Sequence, residues 1–147
     1  MDVRMNINLG AIEKKLQKAA DKAVYITAEK ALEDSNKYCP KDQDGLINSS
    51  LTFSEPEKGI IRWTEPYARA LYYGVVMVDP ETGKACFFID DQPYSRKGVK
   101  KVKSDPEREY QFANGRRKLW AQYAHSKHGK EWLETFRAAM RQAAKEG

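Results

Sequence analysis

Between Leu9 and about Asn36 the chain reads as one long helix. Apolar residues fall at Leu9, Ile12, Leu16, Ala19, Ala23, Ile26 and Ala31, close to the spacing that gathers side chains on one helical face. Asn8 is placed to cap its start, and Lys30 to Asp34 lies on the polar side. Cys39-Pro40 ends the run, because the residue before a proline is pushed out of the helical region. A helix this long cannot cover its own apolar stripe, so a sheet or a partner has to cover it.

The remaining sequence offers strands and further helix. Pro40 to Ser50 is a loop by composition. Leu51 to Ser54 and Gly59 to Thr64 predict two short strands, joined by a turn at Glu55 to Lys58. Tyr67 to Gly74 predicts a short helical turn leading into extended chain. Val75 to Val78 and Ala85 to Ile89 predict a second hairpin around the turn Pro80 to Lys84. Asp90 to Arg108 is polar and basic, and predicts a long loop. Arg116 to His125 and Glu131 to Lys145 predict C-terminal helices, with Gly129 interrupting them or lying near a bend. Trp132, Phe136, Ala139, Met140 and Ala143 share one face of the last helix. The expected class is α+β: a long N-terminal helix packed on a small antiparallel sheet of about four strands, with C-terminal helices. At 147 residues, a single domain over 1–147 can bury a core without staples.

Charge is unevenly spread. From Arg96 to Lys130 eleven Lys and Arg face three Asp and Glu, a local +8, whereas the whole chain carries +5. A basic half suits an acidic partner such as nucleic acid, a membrane face or an acidic protein surface; its plain reading is a solvated basic face. The run Arg96, Lys97, Lys100, Lys101 and Lys103, flanked by Tyr94 and Tyr110, suits a phosphate backbone or single-stranded nucleic acid. No helix-turn-helix or RNA-binding signature accompanies it. Two cysteines, Cys39 and Cys86, are too few for a disulfide framework and fit free thiols in a reducing compartment. With no apolar leader after Met1 and no long apolar run, a soluble protein used without secretion is expected.

No constellation predicts catalysis, and no cofactor is expected. There is no phosphate-binding glycine loop, no dinucleotide fingerprint and no nucleophile elbow. Asp42, Asp44 and Gly45 echo a calcium loop, but the pattern then fails at Leu46 and Ile47. His125, His128 and Glu131 lie three apart on a helix, so a metal site is conceivable. They lack the spacing of known zinc helices and a fourth ligand, and their plain reading is helix-surface residues.

Three segments carry a family resemblance. Pro40, Asp42, Gly45, Leu46 and Ser49, after a long helix, resemble the P-x-D-T-G-x-L-x-x-S loop of phage minor capsid and tail-completion proteins. Pro66, Tyr67, Ala68 and Gly74 are similar to the Pro-Tyr-Ala…Gly signature of the same group, with Tyr72 and Tyr73 inside it. Trp120, Ala124 and Trp132 are similar to the helical end of minor capsid proteins from phages and prophages of Gram-positive bacteria. Gln43 departs from the usual Thr, and 75–115 looks like an inserted hairpin and basic loop.

The resemblance implies a non-enzymatic structural subunit at the head–tail junction, in the neck or tail-completion ring. It implies a homo-oligomeric ring contacting other neck, connector or tail proteins, located in the virion and, during assembly, in the host cytoplasm. Pro66, Tyr67, Ala68, Gly74, Trp120 and Trp132 are expected to build the core of the motif. Asp42, Gly45, Leu46, Tyr72, Tyr73, Arg96, Lys97, Lys100, Lys101 and Lys103 are the candidate interface residues. The alternative is a nucleic-acid-binding module using the basic loop 96–103.

Overall fold

The computed structural model of the chain describes residues 4–5, 9–41, 45–105 and 107–146, with residues 87 and 93 described through their backbone alone. The proposed cap Asn8 and the interface candidate Asp42 lie outside these residues.

Helix α1 spans Leu9–Asn36, as the periodicity predicts. Its main cover is not a sheet but a second long helix, α4, Trp120–Glu146. Ala19, Ala23, Ala31 and Ser35 recur at multiples of four along the buried face, with Leu32 beside them. Such a row of small side chains forms a low ridge against which another helix packs closely. The larger members of the predicted stripe stay outside: Ile12, Leu16 and Ile26 are exposed, and Leu9 is 70% exposed. The two helices run antiparallel, with Asp34 against Trp132, Lys30 against Glu131, and Lys22 against Glu146.

Gly129 does not interrupt the helix, and α4 is continuous. A glycine inside a helix costs about 1 kcal/mol relative to alanine, which packing along the half-buried face from Trp132 to Ala143 outweighs. A Cβ at Gly129 would stand 3.2 Å from the His125 ring. The helix also starts later than Arg116. Asn114 and Gly115 turn the chain at φ 56° and 76°, and Leu119 sits at φ 52°. Leu119 is held in that unfavourable region by its N–H, which donates to the Tyr72 carbonyl at 2.8 Å.

The first predicted hairpin is replaced. Gly45–Phe53 forms helix α2, so the segment from Gly45 to Phe53 is neither loop nor strand. Its buried side chains, Leu46, Ser49 and Ser50, fall on one helical face, and the two hydroxyls donate to carbonyls one turn back. Pro56–Lys58 forms a short 3-10 turn, and only Glu55 and Ile60 pair across it. Trp63 stands in irregular chain, fixed by its indole N–H donating to Asn36 Oδ1 at 3.0 Å.

Four short strands follow α3 (Ala68–Tyr73), but they do not make one sheet. β1 (Met77–Val78) pairs with β4 (Val102–Lys103), and β2 (Phe87–Ile89) pairs with β3 (Gln92–Tyr94), both antiparallel. The mixed α+β class holds; the single four-stranded sheet under α1 does not. The turn Pro80 to Lys84 forms, yet the strands beside it choose other partners. Asp90 to Arg108 is likewise not a plain loop, because β3 and β4 lie inside it.

One buried charge ties the helix pair together. Asp34 is 1% exposed. Its carboxylate accepts the Trp132 indole N–H at 2.7 Å and the Lys37 ammonium at 2.9 Å, with Lys30 at 3.5 Å. Burial alone would raise its pKa, but the hydrogen bonds from Trp132 and Lys37 and the two lysine charges bring it below the usual value. A depressed carboxyl stabilises the fold above its unfolded pKa, about 3.9, and that contribution is lost as pH falls through the lower folded value. Replacing Asp34 by Ala leaves the indole N–H unpaired and is expected to cost about 3 kcal/mol in urea unfolding. Asp34→Asn is expected to lose less stability than the wild type between pH 5 and pH 2. An Ala variant as stable as the wild type would contradict the role of this carboxylate.

Candidate functional site

The Pro66–Gly74 segment acts first through its backbone. Tyr67 precedes the first turn of α3, and Gly74 closes the helix at φ 75° with its N–H directed to the carbonyls of Ala70 and Leu71. A Cβ at Gly74 would come within 2.8 Å of the Lys118 side chain, a second reason for glycine there. Ala68 is buried beside Cys39, Leu46 and Trp120. Trp120, 1% exposed, meets the ring of Tyr72 edge-on at 4.8 Å and that of Trp63 at 5.7 Å. Edge-to-face rings at these separations add to simple area burial.

Among the residues expected at an interface, Leu46 is buried, and Gly45 and Tyr72 are half-buried. Leu46 is buried in this core, because α2 turns it toward Cys39 and Trp120. Tyr72 is half-buried against Trp120. Gly45 faces the Tyr67 hydroxyl, which would stand 3.2 Å from a Cβ there. Tyr73 remains on the surface.

On the outer side of α3 lies a groove of about 890 Å³. Pro66, Ala70, Val75, Met77 and Ala85 give it an apolar floor. Tyr67, Tyr73 and Tyr110 supply aromatic walls, and Arg69, Lys101 and Lys103 supply positive charge. No carboxylate is among these lining residues. The groove therefore suits an apolar ligand that carries negative charge. The turn of α3 and the strand β1 were legible in the sequence, but β4 lies in a segment read as loop, and the groove forms only because β1 pairs with β4 across a long connection.

The basic run divides into two kinds of residue. Arg96 is a clamp: its guanidinium meets Asp79 with two hydrogen bonds, at 2.6 and 2.8 Å, and Glu81 with a third at 2.9 Å. Asp79, buried, also accepts the backbone N–H of Glu81 at 2.8 Å. Arg96 thus fastens the turn at Pro80–Lys84 to the chain after β3. Lys101 donates to the carbonyl of Ala85 and performs a similar tie. Lys97, Lys100 and Lys103 have no ion-pair partner among the described residues. Asp79, which the sequence reading did not single out, is the missed member; an acid before a Pro-x-x-Gly turn was its only signal.

The histidines separate. His125 lies against Trp132, whereas His128 hydrogen-bonds Tyr38 at 2.9 Å. His128, Glu131 and Asp34 do bring three ligand-type atoms within 4.8 Å of one another. The Lys30 ammonium sits 3.5 Å from Asp34 and 3.8 Å from Glu131, so this cluster already holds a cation of the chain itself. Cys39 is buried, and burial pushes its thiol up to about 12, far from a reactive thiolate. No described helix is long and apolar enough to cross a membrane.

The Arg96 hydrogen bond, against a smaller opposing effect of burial, draws the Asp79 carboxyl down to about 2. The clamp is then fully present above the ordinary carboxyl range near 4 and fades as pH falls toward 2. Arg96→Ala and Asp79→Asn are each expected to raise amide exchange several-fold across residues 79–101 while leaving α1 and α4 protected. The double variant is expected to be no worse than Arg96→Ala alone, since removing Arg96 already removes its bonds to both Asp79 and Glu81. Unchanged exchange would remove the clamp from the account.

Compared with known proteins, residues 3–140 match the family model described as "Minor capsid protein". No curated protein and no solved structure matches the chain.

Proposed function

The chain belongs to the minor capsid protein family, and from that premise we propose that it is a subunit of the head–tail junction of a phage, working by protein–protein assembly and not by catalysis. The family is structural and its members are virion components, which the match over residues 3–140 brings to this chain. That match is the observation on which the proposal stands. The surface agrees with it in kind. Leu9, Ile12 and Leu16 are exposed at the start of α1, and Tyr67 and Tyr73 are exposed beside the groove. Exposed apolar patches of this sort suit contact with other proteins.

In this reading the subunit is made in the host cytoplasm and joins neck, connector or tail proteins as a homo-oligomer. Two different faces of each copy then complement each other, as closed rings require. Phage deprived of this protein are expected to accumulate DNA-filled heads and free tails, visible by negative stain. Adding the purified chain to those heads is expected to restore joining. Intact, infectious particles without the protein would refute the junction role.

One observation favours contact with DNA as a second reading: Lys97, Lys100 and Lys103 have no ion-pair partner among the described residues. Retardation of DNA that weakens steeply with salt and disappears when these three become Glu is the expected sign. No retardation at low salt would exclude it.

A further inference from the structure

The β2–β3 hairpin ends in a tip with an unusual combination of properties. Ile89 pairs with Gln92, leaving Asp90 and Asp91 as a two-residue loop at φ 51° and 62°. Positive φ at both loop positions gives the tight turn whose twist matches an antiparallel hairpin, and Asp tolerates it. Beside the loop, Phe88 is 68% and Ile89 53% exposed. Neither Asp90 nor Asp91 has an ion-pair partner among the described residues. The tip therefore presents two large exposed apolar side chains and two carboxylates without an ion-pair partner among the described residues.

The groove beside α3 has the complementary chemistry. Its floor at Ala70, Val75 and Met77 is apolar, and Arg69 and Lys103 stand on it without ion-pair partners among the described residues. We propose that the hairpin tip of one copy seats in the groove of a second copy. Phe88 and Ile89 enter the apolar floor, and Asp90 and Asp91 meet Arg69 and Lys103. A buried aromatic anchor surrounded by matched charges is the arrangement that concentrates binding energy at protein interfaces.

Within one chain the tip cannot plug its own groove while it stands exposed. Ala85 and Ser95, at the foot of the same hairpin, line that groove. One element thus carries the plug for the next copy and helps to shape the socket for the previous one. The contact is heterologous and leaves a free tip and a free groove at the two ends, so it propagates from copy to copy. This inference rests on the assembly reading for its setting, but its chemistry is tested on the purified chain.

Sedimentation velocity over a concentration series reads the contact directly. The wild type is expected to associate in the micromolar range, as small interfaces do. A tip variant, Phe88→Ser with Asp90→Asn and Asp91→Asn, keeps the turn and is expected to raise the dissociation constant by at least about tenfold. A groove variant, Arg69→Glu with Lys103→Glu, changes only exposed side chains and is expected to do the same. Mixed together, the two variants are expected to form a one-to-one dimer, because one retains an intact groove and the other an intact tip. Circular dichroism of each variant establishes that it folds. A wild type that is monomeric at several hundred micromolar overturns the proposal, as does association that neither variant weakens or variants that do not pair on mixing. Such a failure would leave head–tail joining by this protein untouched, whereas a failed joining assay would leave the self-contact standing.

Discussion

A single carboxylate governs how the two long helices meet. Asp34 lies in the seam between α1 and α4 and accepts the Trp132 indole N–H, with Lys37 and Lys30 on the same group. A buried charge is tolerated only when it is paired and hydrogen-bonded, so the register of the helices is tied to this contact. A shift of α4 by one residue would move the indole off the carboxylate and take from each a hydrogen bond that the other supplies. The small residues of α1 allow close approach, but smooth rows of alanine do not fix register by themselves. Asp34 supplies that specificity, and the peripheral pairs such as Lys22 with Glu146 are too exposed to do so.

From that seam the rest of the fold follows through Trp120. The start of α4 brings its indole against Tyr72 and Trp63, and so gathers α3 and the irregular chain after α2 around one aromatic cluster. The Pro66–Gly74 segment then has two faces. Ala68 and Tyr72 turn inward to that cluster, while Arg69, Ala70 and Tyr73 turn outward to the groove. One short helix therefore couples the core to the groove proposed for assembly. The strands beyond it are held less by sheet formation than by polar ties, chiefly Arg96 on Asp79.

Some of this was legible in advance. The bounds of α1 follow from apolar spacing and from Cys39-Pro40. The helical turn before Gly74 follows from its composition, and the apolar face of α4 from its periodicity. The failures have definite causes. Leu51 to Phe53 reads as strand, but Leu46, Ser49 and Ser50 bury one helical face and carry those residues along. The polar, basic composition of Asp90 to Arg108 reads as loop, although a two-residue turn was there to be read in Asp90-Asp91. The basic run looked uniform because charge alone does not reveal that Arg96 and Lys101 are spent on internal acceptors.

The sequence by itself determined the long amphipathic helix, its stop at Pro40, the aromatic-rich Pro66–Gly74 segment, the basic bias of the second half and the family resemblance. These are local or compositional properties, fixed by spacing and side-chain chemistry. Only the tertiary structure decided that α1 is covered by α4 and not by a sheet, that β1 pairs with β4, and which basic side chains are spent on internal acceptors. Those outcomes depend on contacts between residues far apart in the chain. Asp34 and Trp132 are separated by 98 positions. No local pattern encodes such a pairing, because burial and hydrogen-bond satisfaction are settled only when all the elements compete for one another.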